Sequence, residues 1–172
     1  MPTVNTQHRP MNIFHRLVER FAYTRAGTWL ILNVASRLDP QVNQLTGGRV
    51  SVASLIGLPL VLLTTTGAKT GLQRTVALVF FSKGDNIILI ASNGGKAKHP
   101  AWYHNLRAHP QAQLYIRGKS QTCVAREAEG DEREVLWAEA VRVYAGYEAY
   151  QQRARDRRIP VMVLSPQTSE SQ

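Results

Sequence analysis

Cysteine and, over one long stretch, acidic residues are what this chain of 172 residues lacks. Cys123 is the only cysteine, which excludes an internal disulfide framework and favours a buried thiol over a nucleophile. Residues 59–126 carry nine lysines and arginines against one acid, a net charge of +8, whereas residues 1–58 carry +4 and residues 127–172 carry −3. This concentrated positive charge favours a polyanion, an anionic membrane surface or a phosphorylated small molecule as the ligand.

Signatures of hydrolytic and metal-dependent enzymes are missing as well. No Ser-His-Asp or paired-carboxylate pattern stands out, and His99, His104 and His109 recur every five residues, which scatters them around a helix. We therefore predict no metal site. The segment GAKTG (67–71) precedes a strand-like run, whereas a P-loop requires a following helix. The chain also lacks the strand-helix-strand alternation of a doubly wound nucleotide fold.

Long apolar runs are scarce. The nineteen residues between Arg49 and Lys69 are uncharged, but glycine, proline and consecutive threonines interrupt them, so a transmembrane helix is disfavoured. The polar start of the chain gives no sign of a secretory signal. Residues 11–22 form an amphipathic helical pattern with a basic flank, which indicates either core packing or weak contact with a membrane surface. We expect a cytoplasmic protein with, at most, peripheral membrane contact on the inner face.

The order of periodic segments predicts the fold class and the domain organisation. Residues 1–57 form a helical N-terminal extension, residues 58–166 the main domain and residues 167–172 a polar tail. The main domain is expected to contain strands at 59–64, 74–82, 86–91, 111–117, 121–127 and 159–165, and helices at 99–109, 129–144 and 146–158. Short turns between neighbouring strands require antiparallel pairing, which predicts an α+β fold with a small barrel or strongly bent sheet. Pro160 predicts an edge position for the last strand.

The segment TTTGAKTGLQR (64–74) has the composition of an anion-binding loop and lies between two strand-like runs. Gly67 and Gly71 permit positive φ and allow backbone N–H groups to turn towards an anion. Lys69 offers a point charge, and Arg74 offers a two-pronged fork for phosphate. The alternative is a long hairpin loop with solvated charges.

A second loop, ASNGGKAK (91–98), strengthens the anion interpretation. It supplies two more glycines and two more lysines, and it precedes a helix that begins near Pro100. The first turn of a helix has free N–H groups and a positive dipole end, both of which favour an anion. The segment AWYHN (101–105) adds aromatic surface beside them. A phosphate site next to aromatic walls suits a ring cofactor with a phosphate tail.

Three segments, LLTTTGAKTGLQR (62–74), ASNGGKAKHPAWYHNL (91–106) and YAGYEAYQQRARDRRIPVMVL (144–164), together resemble the deazaflavin-dependent nitroreductase family in order and spacing. The resemblance covers residues 58–166. It implies a split β-barrel that binds coenzyme F420 and transfers a hydride from its reduced form to a quinone, an activated double bond or a nitro compound. In such an enzyme the cofactor supplies the hydride, and the protein supplies position and electrostatics.

The resemblance also implies roles for particular residues. The phosphate would be held by the first loop and the glycines of the second, and the ring would be lined by the residues after Arg74 and by the helix start. The implied cofactor-binding residues are Ala68, Lys69, Thr70, Arg74, Thr75, Val76, Ala77, Leu78, Val79, Ile90, Ala91, Ser92, Asn93, Ala101, Trp102, Tyr103, His104 and Asn105. The candidate catalytic residues are Tyr144, Tyr147 and Tyr150. They would cover the acceptor side of the ring, with Tyr147 nearest to it, and a tyrosine or water would supply the proton.

Three other interpretations stay open at this point. The first is an enzyme that uses flavin mononucleotide on the same type of barrel, since the phosphate argument is identical. The second is a non-enzymatic carrier of lipid-like ligands at a membrane. The third is a nucleic-acid-binding protein, to which the run RARDRR (153–158) could contribute, although such a run is more typical of a solvated helix face. We expect a small-molecule acceptor, quinone-like or nitro-aromatic, and no nucleic acid.

Overall fold

The computed structural model describes residues 59–116 and 118–167, so the predicted N-terminal helices and most of the predicted tail lie outside the described residues. The strands are β1 (Leu60–Thr66), β2 (Gln73–Lys83), β3 (Asn86–Ile90), β4 (Gln111–Ile116), β5 (Lys119–Glu127) and β6 (Val161–Pro166). The helices of this part are α1 (Ala101–Ala108), α2 (Gly130–Val143) and α3 (Gly146–Ala154), together with a short 3-10 turn at Asn93–Gly95.

The six strands form a closed barrel in the order β1-β2-β3-β6-β5-β4, and every pairing is antiparallel. This confirms the predicted α+β class and the barrel. The predicted edge position of the last strand is wrong, because β6 pairs with both β3 and β5. Pro160 precedes the first strand residue, so its missing N–H removes no hydrogen bond from the ladder. Its carbonyl accepts a hydrogen bond from the backbone N–H of Ala91 at 2.9 Å.

Strand alternation divides the apolar residues into two layers. The inner layer, here called the barrel core, contains alternate residues of the strands, such as Leu63, Leu89 and Leu164, and is completed by Trp102 and Leu106 of α1. Cys123 belongs to this layer, and its burial raises the pKa of the thiol to about 11, as expected for an unreactive cysteine.

The outer layer, here called the outer cluster, lies between the sheet and the helices α2 and α3. It includes Ile88 and Ile90 of β3, Val161 and Val163 of β6, and Leu136 of α2, all fully or almost fully buried. Strands β3 and β6 are therefore covered on both faces, which explains their continuous apolar sequences. No helix of the described ranges is both long enough and apolar enough to span a bilayer.

Candidate functional site

The first glycine loop, Gly67–Leu72, is shorter than the sequence suggested because both flanking strands extend into the predicted loop. Its turn is closed by its own backbone: the N–H groups of Gly67 and Gly71 donate to Leu72 O and Gly67 O, both at 2.8 Å. Gly67 is buried, and a Cβ there would lie 2.7 Å from the hydroxyl of Thr70. This compact turn leaves the side chain of Lys69 exposed.

Asn105 of α1 fixes this loop to the barrel. Its Oδ1 accepts a hydrogen bond from the backbone N–H of Ala68 at 3.0 Å, and its Nδ2 donates to the hydroxyl of Thr65 at 3.0 Å. Both Asn105 and Thr65 are buried. Arg74, at the start of β2, is exposed, and its carbonyl accepts from the Thr65 hydroxyl at 3.4 Å. The amide of Asn105 is thus used within the protein, where it orients the loop.

The second glycine loop, Ala91–Lys98, has three consecutive residues with positive φ: Asn93 at 49°, Gly94 at 63° and Gly95 at 76°. The preceding Ser92 is in the right-handed helical region. A right-handed residue followed by a left-handed one turns successive N–H groups to the same side, which is the geometry of an anion-binding nest. Asparagine tolerates this conformation better than most residues, and the Nδ2 of Asn93 also donates to Lys98 O at 2.9 Å.

Close packing on α3 fixes the position of the second glycine loop. A Cβ at Gly95 would lie 2.6 Å from Tyr150 O and 2.8 Å from the Cβ of Arg153, so only glycine fits there. The loop leads through Pro100 into α1, whose N-terminus has no side-chain cap and leaves backbone N–H groups for a ligand. Because Asn105 lies about one turn after the start of α1, the two glycine loops converge on the first turns of this helix.

The predicted ring-lining segment on β2 alternates between the two faces of the barrel wall. Val76 and Leu78 pack against the barrel core, so they can offer only backbone to an external ring. Thr75, Ala77 and Val79 have the opposite orientation by strand alternation. Thr75 is exposed, and Ala77 and Val79 are half-buried. Of the predicted residues on β3 and after it, Ile90 belongs to the outer cluster and Ala91 to the barrel core.

The aromatic start of α1 serves partly as core. Trp102 and Tyr103 are buried in the barrel core, whereas Ala101 and His104 are exposed. The hydroxyl of Tyr103 donates to Glu127 at 2.8 Å and accepts from Arg107 at 3.0 Å. Burial, together with the hydrogen bond to Glu127, raises the pKa of Tyr103, so this phenol stays protonated.

The three predicted tyrosines meet in the outer cluster. The ring centroid of Tyr147 lies 5.2 Å from that of Tyr144 and 6.2 Å from that of Tyr150, and the hydroxyls of Tyr144 and Tyr150 are 2.9 Å apart. Gly146 permits this arrangement, because a Cβ there would meet the Tyr144 ring at 2.4 Å. Burial raises the pKa of Tyr147 strongly. Within residues 59–116 and 118–167, the hydroxyl of the buried Tyr147 has no hydrogen-bond partner.

Sequence reasoning missed Arg157. The run RARDRR was expected to be a solvated helix face, but α3 ends at Ala154 and Arg157 is half-buried. Its guanidinium donates to Ser92 O at 2.7 Å and Lys96 O at 3.0 Å in the second glycine loop. The helix ends early because Arg155 adopts a φ of 53°, which right-handed helix excludes. Arg157 lies within one of the three segments that resemble the family, but nothing in the local sequence indicated that it contacts the second glycine loop.

Comparison with known proteins shows similarity to F420H2-dependent reductases in sequence and fold. A family model described as F420H(2)-dependent quinone reductase matches residues 35–166. The F420H(2)-dependent quinone reductase Rv1261c of Mycobacterium tuberculosis is 35% identical over 132 residues, which cover 75% of this chain and 88% of the relative. A solved structure described as an F420-H2 dependent reductase (FDR-A) is 42% identical with a TM-score of 0.58, covering 62% of this chain and 94% of that one. A second, described as a domain-swapped dimer, is 36% identical with a TM-score of 0.60, covering 74% of this chain and 96% of that one.

Proposed function

This chain belongs to the F420H2-dependent quinone reductase family, and we propose that it transfers a hydride from reduced coenzyme F420 to a quinone. Family membership supports both the oxidoreductase class and the cofactor, and it confirms the resemblance seen in the three sequence segments. An activated double bond or a nitro compound is an alternative acceptor of the same electron-poor character.

One observation carries the proposal at the level of residues: the two glycine loops converge on the uncapped start of α1. The amide of Asn105 holds the first loop against this helix at 3.0 Å, and the second loop runs directly into it. Four cationic side chains, Lys69, Arg74, Lys96 and Lys98, are exposed on these loops and the adjoining strand start. Backbone N–H groups, a helix N-terminus and cations are the groups that bind phosphate.

The donors present fit coenzyme F420, whose deazaflavin supplies the hydride when the cofactor is bound. Lys69, Thr70 and Arg74 would bind its phosphate together with the backbone N–H of Asn93. The half-buried outer face of β2 at Ala77 and Val79 would orient its ring. Phe81 pairs with Ile88 in the β2-β3 ladder, so this face continues into the outer cluster that holds the tyrosines. A ring placed there would have apolar wall on one side and phenols on the other.

The tyrosine cluster would exclude water and supply the proton that quinone reduction requires besides the hydride. The raised pKa of Tyr147 keeps its Oη protonated throughout the working pH range. That O–H would donate a hydrogen bond to the acceptor oxygen, and it would release its proton only when negative charge develops there. The hydroxyl pair of Tyr144 and Tyr150, at 2.9 Å, offers a second proton source beside it.

Titration of the purified protein with coenzyme F420 and with flavin mononucleotide, followed by fluorescence, tests the cofactor. We expect tighter binding of F420 and no oxidation of NADPH by the protein alone. Tighter binding of flavin mononucleotide would replace the proposal with its alternative on the same barrel. A protein that binds neither cofactor but takes up lipid-like ligands would instead be a carrier.

Replacing each tyrosine of the cluster by phenylalanine tests the proton source. Tyr147→Phe should reduce turnover by about 10²-fold with cofactor affinity little changed, because the variant keeps the wall and loses the acid. Tyr144→Phe and Tyr150→Phe each remove one of the paired hydroxyls and test the second proton source in the same assay. Normal turnover in all three phenylalanine variants would assign the proton to water.

A weak peripheral membrane contact through residues 11–22 is proposed in addition, on the basis of their amphipathic sequence and basic flank. Such contact would bring the site to lipid quinones. Co-sedimentation with anionic liposomes should be weak and should decrease with salt. A chain that begins at Leu38 is the control, and equal sedimentation of both chains would favour simple packing of this helix on the protein.

A further inference from the structure

The guanidinium of Arg157 is surrounded by the second glycine loop. Nη2 donates to Ser92 O at 2.7 Å, Nη1 to Ala91 O at 3.2 Å and Nε to Lys96 O at 3.0 Å. Nη1 also lies 3.1 Å from the Nδ1 of His99. One side chain therefore contacts the loop at its beginning, near its end and at the residue that follows it.

The second glycine loop needs such support. Its three consecutive residues with positive φ include a non-glycine, Asn93, which is disfavoured by about 1 kcal/mol in an unsupported chain. Conformations of this kind persist where the surrounding structure fixes them. The bond from Asn93 Nδ2 to Lys98 O and the turn bonds from Gly95 N and Lys96 N are local to the loop. The contacts of Arg157 connect the loop to a distant segment, together with the packing of Gly95 on α3 and the bond from Ala91 N to Pro160 O.

The backbone of Arg157 is in turn held in place by residues of α3. The side chain of Gln151 on α3 donates to Arg157 O at 2.9 Å and accepts from the N–H of Ile159 at 2.9 Å. The N–H of Arg157 donates to Ala154 O at 3.1 Å, which continues the end of α3. The segment between α3 and β6 is thus a fixed support from which the guanidinium reaches the loop.

The donors of Arg157 are engaged within the protein. A guanidinium has five N–H groups, and the four contacts above account for four of them. Burial lowers the pKa of Arg157, but the group stays charged because arginine is not deprotonated in proteins. Arg158, the next residue, is exposed and points its guanidinium to Glu134 on α2 instead. The two neighbouring arginines therefore serve different elements.

We infer that Arg157 is a positioning residue for cofactor binding, which keeps the second glycine loop in its anion-binding shape and in register with the tyrosine helix α3. This inference rests on the proposed function, since the loop is taken to bind the phosphate of F420. It extends that function by assigning the loop's shape to a residue that does not touch the cofactor.

Arg157→Gln and Arg157→Lys, with Arg158→Gln as the matched control, test the inference. In the protein without cofactor, hydrogen exchange at the amides of residues 92–98 should become faster in Arg157→Gln and stay unchanged in Arg158→Gln. The dissociation constant for F420 should increase about tenfold or more in Arg157→Gln, as expected when charge-assisted hydrogen bonds are lost. Arg157→Lys should show the same change, because one ammonium cannot reproduce a planar fork that contacts three carbonyls. If Arg157→Gln does not fold, Arg157→Lys alone still tests the inference.

Chemical rescue separates positioning from general destabilisation. Millimolar guanidinium should restore part of the F420 affinity to Arg157→Ala, because it can occupy the space of the missing side chain. It should restore none to Asn105→Ala, where the missing group is an amide of different shape. Wild-type exchange of residues 92–98 in Arg157→Gln, or wild-type F420 affinity in Arg157→Lys, would overturn the inference and leave the proposed function intact. If the wild-type protein bound no F420, the proposed function would be wrong, and the exchange rates alone would decide whether Arg157 holds the loop.

Discussion

The two glycine loops, both proposed to bind phosphate, are stabilised in different ways. The first, Gly67–Leu72, closes its turn with hydrogen bonds between its own residues, and one buried amide, that of Asn105, holds it to α1. The second, Ala91–Lys98, is held from outside by Arg157 and by close packing of Gly95 on α3. The first loop is therefore a local structure with an anchor, and the second depends on contacts more than fifty residues away.

This difference predicts how each loop responds to substitution. In the first loop, the exposed cations can change without disturbing the fold, because the turn is made by the backbone. In the second, a substitution at Arg157 or Gly95 alters the shape of the loop. It also disturbs the tyrosine helix α3, because Gly95 packs directly against that helix. Binding and stability should thus be separable in the first loop and coupled in the second.

The largest effect is expected for Gly95→Ala, compared with Gly71→Ala in the first loop. Both glycines have positive φ, 76° and 67°, so both variants carry the same backbone strain of about 1 kcal/mol. Only Gly95 has neighbours within 4 Å of the added Cβ. We expect Gly95→Ala to lower the free energy of unfolding by about 3 kcal/mol and Gly71→Ala by about 1 kcal/mol, measured by denaturant titration. Equal values for the two variants would contradict external support of the second loop.

Next in size is the loss of cofactor affinity in Lys69→Ala and Arg74→Ala. Each removes a charge-assisted contact worth about 1.5–3 kcal/mol, which is about 10- to 100-fold in the dissociation constant for F420. The melting temperature without cofactor should hardly change, because both side chains are exposed. Lys119→Ala is the control, since the turn at Gly118 is at the end of β4 remote from the first loop. Unchanged affinity in both variants would leave Lys69 and Arg74 as ordinary surface charges.

A smaller effect on binding is expected for Asn105→Ala. The variant releases the backbone N–H of Ala68 and removes one partner of the Thr65 hydroxyl, which should destabilise the protein by about 1–3 kcal/mol. We expect F420 affinity to fall by less than about tenfold, because the turn itself remains. Thr65→Val keeps the bond to Ala68 and serves as the control in parallel calorimetry and titration. The anchor role would be refuted by equal loss of affinity in both variants.

The smallest effect is a pH dependence of the second loop through His99. Burial, followed by the charge of Arg157, lowers the pKa of His99, and His104 and Arg107 act in the same direction while Glu127 opposes them. Since the guanidinium must donate, Nδ1 accepts and the neutral ring is the folded form. The folded pKa lies below the unfolded one, so this stability is present above about pH 6.5 and is lost as the pH falls through the folded pKa.

The matched variant is His99→Gln, whose side-chain oxygen can accept from Arg157 without titrating. Hydrogen exchange of residues 92–98 should accelerate on acidification in the wild type and less so in the variant. Tyr103, whose ring centroid lies 4.7 Å from that of His99, stays protonated over this range and does not add to the effect. An identical pH response of both proteins would remove His99 from the support of the loop.

Much of the fold followed from the sequence because the signals were local. The six strands, the helix at the aromatic segment and the two glycine loops were predicted from alternation, turn residues and proline positions. Strand ends shifted by a few residues, since ladder pairing extended β1 and β2 into the predicted loop. The edge position of β6 was wrong because proline next to a strand resembles proline within one.

The candidate site was predicted less completely. Resemblance to the family named the loop cations and the tyrosines, whose roles stay predictions. It did not distinguish Thr75, Ala77 and Val79, which face outward, from Val76 and Leu78, which face the barrel core. Strand alternation could have supplied that distinction. Nothing local could have separated Arg157 from Arg158, because their difference lies in which distant carbonyls and carboxylates each one meets.

The sequence by itself determined the positive charge, the two loops with glycine where backbone N–H groups must turn, and the antiparallel order of strands joined by short turns. These properties depend on residue type and on neighbours within a few positions. Only the tertiary structure decided that both loops would lie at the start of α1, that Gly95 would pack against α3, and that Arg157 would support the second loop. Contacts across more than fifty residues arise when the closed barrel brings separate segments together. The residues next to an arginine in the sequence do not indicate which carbonyls its guanidinium will contact.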